Sequence, residues 1–179
     1  MLYRASHFWA RVEIFFAAAL AASVTGLILL NVITRASGNA IYWVDEAAIY
    51  AMVWMTFLAA SAAIHFRSAI SVTILNEMLP ASGRHWINRF VDLTIFVFAC
   101  LMVWICLRWF MPLQLMEAGW DVKAFQGQTF NFIYAEPTNT IGLKKVWIWL
   151  VMPLFTLGAL LHSGANLLHP GKTSQVEAV

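Results

Sequence analysis

Few side chains in this sequence are of a type and spacing that could do chemistry. Asp45 and Glu46 stand together at the head of a long apolar run, His65 and Arg67 close that run, and His162 stands near the end of another. Glu13 precedes a third apolar run, beside Arg11. An acid in the first helix of a small membrane protein could carry a cation, as it does in small multidrug exporters, but a position at the edge of the run reads more simply as a surface acid. His65 and His162 could each offer an imidazole nitrogen to a b-type haem, the chemistry of a haem-bearing membrane anchor of an oxidoreductase. The plainer reading is interfacial polar residues, because each stands at the end of a run rather than inside it. Cys100 and Cys106 share one run. Six residues at a rise of about 1.5 Å separate them by about 9 Å, too far for a disulfide. GxSxG, Walker, GxGxxG and HExxH patterns and Cys/His metal spacings are all missing from the sequence. The expectation is a chain that is not an enzyme, with no catalytic centre, no metal site and no cofactor.

The elements that position these residues follow from composition. Hydrophobic residues make up 61% of the 179 and charged residues 11%, against about 45–50% and about 25% in soluble domains. So much apolar surface needs lipid as part of its solvent. Charges divide the chain into uncharged runs: Ile14–Thr34, Ala47–Phe66, a stretch between Asp92 and Arg108, and Val146–Gly171. A bilayer core needs roughly 20 apolar helical residues, and Asp92 and Arg108 can reach the interfaces along their own stems. Spans are predicted at about 12–34, 43–66, 89–111 and 145–163. The fold class is all-α, an integral membrane protein with four transmembrane helices plus a short interfacial amphipathic helix. One membrane domain covers 1–170, and 171–179 forms a disordered tail. The first run is too long for a signal peptide, and the small residues Ala19 and Ala21 come too early in it for cleavage. Trp9, Trp43, Trp86, Trp109 and Trp147 stand near the ends of apolar runs, as an interfacial aromatic belt requires.

Two stretches are not spans. In 68–79, Ile70, Ile74, Leu75, Met78 and Leu79 fall on one helical face, and Pro80 with Gly83 ends the pattern; a short helix on the cytoplasmic membrane surface fits, the plainer alternative being an extension of the second span. The stretch 112–140 mixes Trp120, Phe125, Phe130, Phe132, Ile133 and Tyr134 with three acids. It is too apolar for a free loop and is expected on the membrane or against a partner. Placing Arg4, Arg11, Arg67, Arg84, Arg89 and Lys172 on one side of the spans leaves Arg35, Arg108, Lys123, Lys144 and Lys145 on the other; this bias, with the short basic loop between the second and third spans, favours both termini in the cytoplasm. No dense run of Lys and Arg exists, so no nucleic acid is expected.

Within the spans, Trp43, Glu46, Tyr50, Trp54 and Phe57 recur at three or four residues and form one helical face with a charged end. Asp45 and Glu46 occupy the first turn of their helix, where the macrodipole favours acids. They serve as a helix terminus or as a polar contact, with Arg35 or with another subunit. Ala18, Ala22 and Gly26 share a face of the first span, a small-residue pattern that lets helix backbones approach in lipid.

The stretch from Asn31 to Arg35, then Trp43 and Glu46, Tyr50 and Trp54, and Arg67 followed by Ile70, Val72, Leu79 and Pro80 resembles the small membrane subunit (DctQ-type) of tripartite ATP-independent periplasmic (TRAP) transporters. Trp147 with Pro153 and Leu154 resembles the start of that family's fourth helix. The resemblance implies a three-part importer in the bacterial inner membrane. A periplasmic substrate-binding protein captures a small organic acid, and a large many-helix membrane subunit moves it with sodium. The small subunit scaffolds the large one among membrane lipids. Arg35, Trp43, Glu46, Trp54 and Arg67 are then the candidates that fix the first two helices or meet the large subunit.

Overall fold

In lipid every backbone N–H and C=O must pair within the chain, so long charge-free runs become helices. A computed structural model describes residues 1–67 and 81–169. The helices are α1 (Leu2–Ala36), α2 (Trp43–Phe66), α3 (Ala81–Phe110), α4 (Pro112–Glu117), α5 (Val122–Thr129), α6 (Val146–Trp149) and α7 (Val151–Leu168). Four stretches are long and apolar enough to cross a membrane: Leu2–Ala36, Trp43–Phe66, Trp86–Glu117 and Val146–Leu168. Among the described residues there is no strand, only an isolated bridge between Pro137 and Lys144. The expected interfacial helix at 68–79 and the tail 171–179 lie outside the described residues.

The helices run past the apolar runs that mark the spans: α1 begins at Leu2, α3 at Ala81, and α7 continues to Leu168. Gly83 therefore lies inside the first turns of α3. The fourth span is broken at Leu150, between α6 and α7. Pro153 explains the position: it has no N–H to offer the carbonyl of Trp149, four residues earlier.

Chain topology follows from which helix faces carry small residues. α7 packs against α1, α2 and α3, while α1 pairs most extensively with α2. α7 is the most buried span and α1 the least. Ser6, Ala10, Glu13 and Ala17 form the buried stripe of α1. Leu58, Ser61, Ala62 and His65 form that of α2, and Gly158, Ala159, His162, Ser163 and Asn166 that of α7. Small side chains along these stripes let three backbones approach closely. The other small face of α1 does not take part: Ala18, Ala22 and Gly26 are exposed, and a Cβ added to Gly26 would meet nothing within 4 Å.

The stretch after α3 folds back over that helix's end. Met111 leaves the right-handed helical region at φ 46°, ψ 50°, and Pro112 opens α4, where its missing N–H is one the first turn leaves unpaired anyway. Asp121 caps α5 by accepting from the N–H groups of Lys123 (2.8 Å) and Ala124 (3.4 Å). Asn131 Nδ2 donates to the carbonyl of Trp109 at 2.8 Å, and the Tyr134 hydroxyl donates to that of Phe110 at 2.6 Å. Both satisfy carbonyls that a helix C-terminus leaves without partners. Burial pushes the Tyr134 phenol up, so it remains a neutral donor. Phe125 and Ile133 are buried beneath this cap, whereas Trp120, Phe130 and Phe132 stay exposed. The apolar character of 112–140 thus divides between a docked inner side and an open outer side.

Candidate functional site

Among the described residues, polar side chains cluster at the α1–α2 turn, at the opposite end of α2, and in the interior between α1, α2 and α7. At the α1–α2 turn, Arg35 forms an ion pair with Asp45, and its Nε donates to Asn31 Oδ1 at 2.9 Å. Asn31 Nδ2 also donates to Asp45. The side chains of Arg35 and Asp45 are 58% and 44% exposed, so this clamp is a surface feature. Arg35 therefore meets Asp45, the neighbour of Glu46.

Glu46 does something else. It is buried and holds the loop before α6. Oε1 accepts from the N–H of Asn139 at 2.8 Å, and Oε2 from the N–H of Thr140 at 2.6 Å, the Thr140 hydroxyl at 2.6 Å and the N–H of Ile141 at 3.2 Å. The Tyr50 hydroxyl donates to Oε1 at 2.6 Å. A carboxylate accepting several N–H and O–H groups is held as the anion and fixes the loop in return. Gly142, at φ 77°, makes the tight reversal that aligns these donors, a conformation that suits glycine.

At the opposite end, Arg67 ends α2 in the left-handed region (φ 51°) and pairs with Asp92 of α3. Asp92 is nearly buried (side chain 5% exposed) and Arg67 partly so (23%). Arg89 donates to the carbonyl of Leu167, and Asn166 Nδ2 donates to the carbonyl of Ile64 at 2.8 Å. These contacts tie α2, α3 and α7 together where the α2–α3 connection begins.

The aromatic face of α2 turns inward. Tyr50 binds Glu46, Phe57 meets Phe155 of α7 edge-on at 5.3 Å, and Trp54 helps line a groove of about 310 Å³ with Trp9, Phe16, Leu58 and Leu154. Trp43 is the exception, 46% exposed at the head of the helix.

The third cluster is the one local sequence reasoning misplaces. Glu13 is not a surface acid: it is 1% exposed, as is His65, and His162 is 0% exposed. His162 Nε2 lies 2.9 Å from Glu13 Oε2. Ser6 Oγ lies 2.7 Å from His65 Nδ1 and 2.8 Å from His162 Nδ1. His7 Nδ1 lies 3.3 Å from His65 Nε2. The two imidazoles bridged by Ser6 are 5.4 Å apart, centroid to centroid. All four of their ring nitrogens lie within hydrogen-bonding distance of protein atoms. Among the described residues no group of three or more His, Cys, Asp or Glu is arranged to hold a metal ion. The signal available in the sequence was the spacing of Ser6, Ala10, Glu13 and Ala17, a small-residue stripe with an acid inside it.

The family model described as "Tripartite ATP-independent periplasmic transporters, DctQ component" matches residues 24–170. No curated protein matches the chain, and no solved structure does.

Proposed function

This chain belongs to the DctQ family of tripartite ATP-independent periplasmic transporters, and on that premise we propose that it scaffolds the large transport subunit of a sodium-coupled importer of small organic acids. A DctQ component is the small membrane subunit of such a transporter, a transporter part rather than an enzyme. The family and the four apolar helices make this a multi-pass protein of the inner membrane. The partners proposed are the large many-helix subunit, a periplasmic substrate-binding protein and surrounding lipid. Both termini face the cytoplasm.

The observation that carries the scaffold reading is the bracing of the bundle at both ends. Glu46 fixes the loop 139–141 against α2, and Arg67 with Asp92 fixes α2 against α3. A body held in this way can stay still while a partner moves. Glu46, Trp54 and Arg67 act inside the subunit, as helix-fixing residues. Arg35 and Trp43, which are exposed, are the candidates for contact with the large subunit. The outer face of α1, with Ala18, Ala22 and Gly26, offers a close-packing surface beside them.

The test is to tag the C-terminus, solubilise native membranes in mild detergent and identify the co-purifying chains by mass spectrometry. A large many-helix membrane protein in near-equal amount is expected. Recovery with a flavin or iron–sulfur subunit, or alone, overturns the reading. Sodium coupling and substrate class are then read from carboxylate uptake into liposomes holding both membrane subunits, with receptor added.

A further inference from the structure

We propose that His7, His65, Ser6, His162 and Glu13 form a proton relay that loads one proton onto a buried Glu13–His162 site in this subunit. The proposal is independent of the scaffold reading and concerns a binding site inside the chain.

The geometry is a connected row of hydrogen-bonding atoms: His7 Nδ1 to His65 Nε2, His65 Nδ1 to Ser6 Oγ, Ser6 Oγ to His162 Nδ1, and His162 Nε2 to Glu13 Oε2, at 3.3, 2.7, 2.8 and 2.9 Å. It begins at half-buried His7 and ends at Glu13, six residues, or about 9 Å, further along α1. A neutral imidazole has one donor nitrogen and one acceptor nitrogen, and a serine hydroxyl has one proton to give. These rules leave two complete arrangements in which every link is made. With Glu13 ionised, all links point toward it: His7 Nδ1–H donates to His65, His65 Nδ1–H to Ser6, Ser6 O–H to His162 Nδ1, and His162 Nε2–H to the carboxylate. With one proton more, every link is reversed: Glu13 O–H donates to His162 Nε2, His162 Nδ1–H to Ser6, Ser6 O–H to His65 Nδ1, and His65 Nε2–H to His7 Nδ1.

Passage between the two balances. One proton arrives from water at His7 Nε2. His7, His65, Ser6 and His162 each bind one proton on one side and release one on the other, and Glu13 gains one. If His162 keeps both of its protons, the loaded state is an imidazolium–carboxylate pair with the same proton count.

A second observation marks Glu13 as the terminus. Its Oε1 and the Ser61 hydroxyl are buried without hydrogen-bond partners, although such groups are nearly always paired. Both crowd Gly158 of α7, where an added Cβ would lie 2.6 Å from Glu13 Oε1, clash with Ser61 Oγ and sit 3.3 Å from Trp9 Nε1. Glycine at 158 leaves the space that the Glu13 carboxyl group and the Ser61 hydroxyl occupy. Other titratable groups stand on the elements that carry the relay. Tyr3 of α1 touches the rings of His7, His65 and His169, and His169 follows α7. On α2, Arg67 is held by Asp92 of α3, and Arg89 of α3 is held by the carbonyl of Leu167.

The test is nitrogen-15 NMR of the full chain in lipid nanodiscs, labelled at histidine and titrated with acid. In one transition His65 should exchange Nδ1–H for Nε2–H while His162 gains a proton at Nδ1. Ser6→Ala should uncouple the two, so that His65 no longer follows His162, and Glu13→Gln should abolish the transition. Fixed tautomers across the titration, or histidines that protonate at separate midpoints in the unaltered chain, overturn the proposal. So does a transition that survives in Glu13→Gln. Should either variant fail to fold, the tautomers of the unaltered chain decide by themselves.

Discussion

Glu46 and Thr140, far apart in sequence, are joined twice: the carboxylate accepts both the backbone N–H and the hydroxyl of Thr140, each at 2.6 Å. Two further N–H groups of the same loop, from Asn139 and Ile141, depend on the same side chain. Removing it leaves several donors without a partner, a larger loss than one missing contact. Glu46→Ala should lower the thermal midpoint of the detergent-solubilised chain and expose 137–144 to protease. Arg35→Ala should do much less, since exposed ion pairs contribute about 0–1 kcal/mol. The double variant should lose assembly and uptake together. Normal uptake by a stably assembled double variant would remove both residues from the scaffold.

Arg67 and Asp92 form a pair that water barely reaches on the acid's side. Breaking a buried pair from one side costs about 3–5 kcal/mol, less where one partner is partly exposed, whereas replacing both with apolar groups is often tolerated. Arg67→Ala and Asp92→Ala should each destabilise strongly, and Arg67→Met with Asp92→Leu should recover much of the loss. A double-mutant cycle on thermal unfolding measures the coupling; additive losses would show that the pair does not hold α2 to α3.

Two glycines separate internal packing from assembly. A Cβ at Gly158 collides with Glu13 and Ser61, so Gly158→Ala should cost about 1–3 kcal/mol, the range for overpacking. Gly26 has open space around it, so Gly26→Leu should leave the isolated chain's stability unchanged. If the large subunit packs on this face of α1, the same substitution should reduce co-purification. Unchanged recovery would move the contact to another face.

The four spans were legible because lipid imposes one requirement on every residue of a run, and absence of charge reports it directly. Their ends were less legible. Glu13 looked like a boundary because its partner, His162, lies at the far end of the chain, and a charge neutralised at long range resembles an interfacial one locally. For the same reason Arg67 was visible as a helix-end cation while its partner Asp92 was taken as a snorkelling residue. The aromatic face from Glu46 to Phe57 was found by spacing alone; that it turns inward depends on Phe155 and the loop 139–141, which spacing cannot place. The small-residue face of α1 at Ala18, Ala22 and Gly26 was also correctly grouped, but the stripe that packs inside the chain is the other one, at Ser6, Ala10, Glu13 and Ala17.

The proposed orientation rests on the basic residues and is open to direct measurement. With both termini in the cytoplasm, the cap formed by 112–144 faces the periplasm, where a substrate-binding protein would approach its exposed Trp120, Phe130 and Phe132. Gln128 and Ala5 are both exposed and lie at opposite ends of the bundle. In a background lacking Cys100 and Cys106, Gln128→Cys should react with a membrane-impermeant maleimide in cells with a permeabilised outer membrane. Ala5→Cys should react only after the inner membrane is opened. The opposite pattern would invert the subunit, putting its docked cap in the cytoplasm and the relay's entrance at His7 on the periplasmic side.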